Sequence, residues 1–73
     1  MKFEELDDLK DKIVAHLILA GLASIERLSR LVGSPEYNVL VALRSLMEEK
    51  LVQALSGGLW MVVGEHRKKS SKP

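Results

Sequence analysis

Little in the chain is equipped for a reaction. The two histidines, His16 and His66, stand fifty positions apart, there is no cysteine, and no acids cluster beside either imidazole, so a metal lacks its ligand set. No serine, histidine and orienting acid fall into a nucleophilic arrangement, and no glycine-rich phosphate loop follows a strand. A domain this small also lacks the volume for a substrate-sized cavity. The expectation is therefore a protein that is not an enzyme and carries no cofactor.

What remains suits binding. On a helical wheel Tyr37, Val41, Arg44, Ser45 and Glu48 share one face, with Asn38 and Leu40 on its flanks. The guanidinium of Arg44 presents a planar fork of donors, or it pairs with Glu48 four positions later. Arg67, Lys68 and Lys69, followed by Lys72, form a basic run near the end of the sequence. Such a run is either a solvated, solubilising terminus or an electrostatic arm.

The elements that must position these groups can be read from spacing. Leu6, Leu9, Ile13, Leu17 and Ala20 recur on one face, with Phe3 and Val14 at its edge, which predicts an amphipathic helix over residues 3–20 ended by Gly21. Ser24 is a suitable N-cap for a short helix over 25–32, with Glu26 in the first turn where the helix dipole favours an acid. Its inner face holds Ile25, Leu28, Leu31 and Val32, while Arg27 and Arg30 point outwards. Gly33 closes that helix, and Ser34 as N-cap with Pro35 at the first helical position opens a third one over 35–49. Val39, Ala42, Leu43, Leu46 and Met47 are its buried face. Two short apolar runs, LVQALS and LWMVV, then flank Gly57 and Gly58, which reads as a tight β-hairpin. Trp60 is expected to pack against the helices.

Seventy-three residues bound this to one domain, over residues 1–63, followed by a basic tail over 64–73 that has no apolar anchor and is expected to be disordered. The charge is uneven: seven Lys and Arg against nine Asp and Glu give −2 over 1–63, and four against one give +3 over 64–73. No apolar run is long enough to span a membrane, and the acidic start MKFEELDDLKDK is unlike a signal peptide, so the expected location is the cytoplasm.

This order of helix, short helix, glycine turn, longer helix and hairpin resembles the winged helix-turn-helix superfamily, particularly small bacterial and archaeal regulators of the multiple-antibiotic-resistance-repressor type. The likeness rests on Ile25, Leu28, Val32, Gly33, Ser34, Val39, Leu43, Leu46, Leu51, Val52 and the strand Leu59 to Val62. It implies an α+β, mainly α fold of three helices and a C-terminal β-hairpin wing. It also implies that the third helix enters the major groove of double-stranded DNA, with Ser34, Tyr37, Asn38, Val41, Arg44 and Ser45 as its groove face. Arg44 would then bind a guanine edge, Asn38 an adenine edge, and Val41 a thymine methyl, while Tyr37 and Ser34 serve phosphates. Arg67, Lys68 and Lys69 would reach adjacent phosphates.

One further signal comes from surplus apolar residues. Strand alternation lets either Trp60 and Val62 or Leu59, Met61 and Val63 face the helices, and leaves the other set outside. With Leu19, Leu40, Val41 and Leu55 added, this excess predicts a homodimer built through the first helix or the wing edge. The expected function is that of a small dimeric transcriptional regulator. The alternative is an interaction module that docks on another protein through Leu40, Val41 and the wing.

Overall fold

A computed structural model of the chain describes residues 2–63; Met1 and residues 64–73, with the expected basic tail, lie outside the described residues. The order is α1 (Phe3–Ala20), β1 (Ala23–Ser24), α2 (Ile25–Val32), α3 (Glu36–Glu48), β2 (Val52–Leu55) and β3 (Leu59–Val62). The fold is α+β and mainly helical. Both helices of the first half have the bounds that spacing predicts.

Local chemistry explains these bounds. The Ser24 hydroxyl accepts the Arg27 backbone N–H at 3.2 Å, the expected cap of α2. At the other end Gly33 has φ 72°, in the left-handed region that a residue with a Cβ enters only at a cost. The backbone N–H groups of Gly33 and Ser34 both donate to the Ser29 carbonyl, at 2.9 and 3.1 Å. The Ser29 hydroxyl in turn donates to the Ser34 carbonyl.

Ser34 is therefore bound into the end of α2, and its expected role as N-cap of α3 is corrected. Pro35, extended at ψ 151°, takes that position without a side-chain bond, and α3 starts one residue later than expected. Proline has φ preset and no N–H to satisfy, so it enters a helix without loss.

The hairpin forms, with two differences. Leu55 pairs with Leu59, so the loop is Ser56–Gly58, three residues and not two, and both glycines hold positive φ, 81° and 76°. The second difference is a third strand. β1 pairs antiparallel with β3, Ala23 opposite Trp60 and Ser24 opposite Leu59, so the sheet order is β1-β3-β2. The expected two-stranded wing is thus part of a three-stranded sheet that ties the α1–α2 connection to the C-terminal strand.

The core lies where α1, α2, α3 and the inner face of the sheet meet. Ile13, Leu28, Val39, Ala42 and Leu43 are fully shielded, and Trp60 is only 7% exposed. Across the strands Ala23, Trp60, Val52 and Val62 present one buried face, while Ala54, which also opposes Trp60, is exposed. Leu59, Met61 and Val63 are the outer set. Three expected core positions are exposed instead: Ala20, Leu31 and Met47, the last two at 45% and 41%. Helical phase points each of them towards the core side, but among the described residues no element covers it.

The end of α3 is the strained point of the backbone. Lys50 has φ 65°, while Leu51 N–H donates to the Leu46 carbonyl at 2.9 Å, the bond that closes a helix through a left-handed residue. A lysine there forgoes the freedom of glycine. Lys50→Gly is expected to stabilise the domain by about 0.5–1 kcal/mol, raising the thermal midpoint by about 2–8 °C in a calorimetric scan. A lower midpoint would show that the lysine side chain contributes more than its backbone costs.

Candidate nucleic-acid interface

α3 is held by one side only. Val39, Ala42, Leu43 and Leu46 are buried against α1, α2 and β2. Since successive residues turn by about 100°, Tyr37, Val41, Arg44, Ser45 and Glu48 fall within an arc of roughly 100° on the opposite side. Tyr37 is 75% exposed, Arg44 and Glu48 are exposed, and Val41 and Ser45 are half-buried. The structure therefore brings four of the sequence-predicted residues together on one outward strip.

Ser34 and Asn38 are placed differently. Both are half-buried and line a narrow cleft against α1 with Glu5, Asp8, Leu9 and Lys12. Two carboxylates there oppose a phosphate and one ammonium attracts it, so these two residues sit in a cleft whose charged lining sums to −1 and disfavours a phosphate. Arg67, Lys68 and Lys69 lie outside the described residues.

The electrostatics of the strip are those of a single exposed cation between acids. Arg44 stands between Glu36 near the start of α3 and Glu48 at its end. The expected alternative pairing of Arg44 with Glu48 does not form: among the described residues one ion pair is present, Lys10 with Glu49, which links α1 to the residue after α3. The Arg44 guanidinium is consequently available to a ligand. The loop Ser56–Gly58 carries no charge.

A second surface was only half visible in the sequence. Leu19, 87% exposed, and Leu31 line a shallow groove with His16, Ala20 and Arg27, formed where the end of α1 meets α2. Leu19 was legible as an apolar residue on a polar face. Leu31 was not, because the wheel assigns it to the interior. Within this groove the Nδ1 atom of His16 is shielded and has no hydrogen-bond partner.

Among the described residues no group of three or more His, Cys, Asp or Glu could hold a metal ion, and no helix is long and apolar enough to cross a membrane. Compared with known proteins, the chain matches no family model, no curated protein and no solved structure.

Because the Tyr37 ring is largely in water, Tyr37→Ala is expected to change unfolding stability by less than about 0.5 kcal/mol in urea titration. A loss several times larger would mean that the ring is part of the fold, and that binding defects of the variant cannot be assigned to a lost contact.

Proposed function

We propose that the chain is a small double-stranded-DNA-binding domain of winged helix-turn-helix type, acting as a dimeric regulator with α3 in the major groove. The observation that carries this reading is the outward strip of α3, which no other element among the described residues packs over while the opposite side of the same helix is locked in the core. A helix about 10–12 Å across with its side chains fits a groove about 12 Å wide.

Within the groove Arg44 has the chemistry for a bidentate bond to guanine N7 and O6, and Val41 for contact with a thymine methyl. Tyr37 and Ser45 carry hydroxyls suited to phosphate or base edges. Asn38 and Ser34 reach the duplex from the α1 side of the helix. The residues from Tyr37 to Ser45 span about 12 Å along the axis, enough for three or four base pairs and too few for a long site. A second copy, joined through the Leu19 and Leu31 groove, would add the other half-site.

Affinity must come largely from outside the folded body. The body carries −2 and the segment 64–73 carries +3, so the phosphate contacts fall mainly to Arg67, Lys68, Lys69 and Lys72. Full neutralisation of four phosphates gives a slope of log affinity against log salt of about −3.6.

One observation favours a second reading. Half-buried Val41 beside exposed Tyr37, with Leu40 packed at the edge of the core, is an apolar strip that equally suits docking on another protein. Fluorescence anisotropy separates the two, using a labelled mixed-sequence duplex of about 30 base pairs between about 50 and 200 mM salt. The expected result is micromolar binding with a slope near −3, flattened towards zero when residues 66–73 are deleted and weakened by Arg44→Ala. No binding at the lowest salt would overturn the DNA reading and leave α3 facing a protein.

A further inference from the structure

α1, the end of α3 and the start of β2 enclose a second groove, on which the proposed DNA contacts make no demand. Val14, Ile18 and Leu51 form its apolar floor, and Asp7, Asp11 and Glu49 stand along its rim. With Lys10 as the lining cation, three carboxylates against one ammonium leave this groove at −2. Ile18 is 46% exposed although apolar.

The chain itself supplies the complementary segment. The Val63 N–H donates to the Leu51 carbonyl at 2.9 Å, so the polypeptide leaves the described fold beside a residue of the groove floor. The next ten residues, GEHRKKSSKP, carry four cations against one acid. An extended chain advances at most about 3.3–3.6 Å per residue, which puts Arg67 within about 14 Å of Val63 and gives residues 67–72 a span of up to about 18 Å. The distance along α1 from Asp7 to Ile18 is about 16 Å. Reach and charge therefore match.

We propose that the segment from Arg67 to Lys72 docks in this groove of its own molecule when no duplex is bound. The aliphatic stems of Arg67, Lys68 and Lys69 lie over Val14, Ile18 and Leu51, and their charged heads meet Asp7 and Asp11, since Glu49 is already paired with Lys10; long basic side chains cover apolar surface in this way while keeping their charge in water. The contact is an intramolecular substitute for phosphate. Resting on the DNA reading for its consequence, the docked segment makes binding a competition, in which a ligand must offer a denser row of negative charge than α1 does to draw the cations away.

The test uses the full chain without DNA, so it stands apart from whether the duplex is the ligand. Since there is no native cysteine, Ser71→Cys accepts a single nitroxide, and paramagnetic broadening of backbone amides reports where it dwells. At low salt the amides of Val14, Ala15, Ile18 and Leu51 are expected to broaden selectively. The effect should vanish in high salt and in the Asp7→Asn/Asp11→Asn variant, with the rest of the amide spectrum unchanged. Mixing isotope-labelled, nitroxide-free chains with unlabelled nitroxide-bearing ones is expected to leave the groove amides sharp. Uniform or absent broadening in the single chain would overturn the docking, and groove broadening in the mixture would assign the occupant to a second copy. If duplex binding is also observed, the same double variant should bind about threefold more tightly, as befits the loss of exposed ion pairs of modest strength.

Discussion

The position of every outward residue follows from the burial of one face of α3. Val39, Ala42, Leu43 and Leu46 are almost wholly withdrawn from water, and in a domain this small such residues cannot be spared. A chain of about 60 residues buries only about 60% of its unfolded surface on folding, and without cysteine no disulfide supplements this core. The rotation of α3 about its axis is therefore fixed by the hydrophobic effect. Once it is fixed, Tyr37, Val41, Arg44 and Ser45 have nowhere to go but outwards.

Two short connections turn this packing preference into one arrangement. At the entrance to α3, Ser29 and Ser34 lock the turn around Gly33, so α2 and α3 meet at a set angle. At its exit, Lys50 accepts a left-handed conformation so that Leu51 can turn back onto the core and start β2. The sheet then uses Trp60 to close the side of the core that the helices leave open. The same geometry that makes α3 rigid leaves the flanking acids of α1 and α3 in place, so the folded body offers an anion a shaped surface with little net attraction. Shape and charge are carried by different parts of the chain.

Much of this was legible in the sequence, for physical reasons that also explain the failures. α1 and α2 have strong apolar periodicity and, for α2, a serine cap and a glycine stop, and their bounds agree with expectation. The burial of Val39, Ala42, Leu43 and Leu46 was likewise readable from phase, and that of Trp60 from the area its ring can bury, since strand alternation alone left open which set faces inwards. β1 was not, because a strand of two residues, Ala23 and Ser24, has no period and exists only through its pairing with Leu59 and Trp60. Ser34 was misassigned because a serine before proline is an equally good partner for the helix behind it. Leu31 and Met47 show that phase gives the direction of a side chain but cannot say whether anything lies there to cover it. In the candidate site, the strip of Tyr37, Val41, Arg44 and Ser45 was foreseeable as one face. The separation of Ser34 and Asn38 into a cleft with Glu5 and Asp8 depends on the placement of α1, which no local signal encodes.

The outward strip of α3 is the surface proposed to touch a duplex, and amide chemical shifts register such a contact most directly. Titrating a short duplex into isotope-labelled protein is expected to perturb the amides of Tyr37, Val41, Arg44 and Ser45 most strongly, with those of Leu19 and Leu31 little affected by DNA itself. Binding that leaves the α3 amides in place and moves only residues elsewhere would contradict that proposal, and would assign the strip to a different partner.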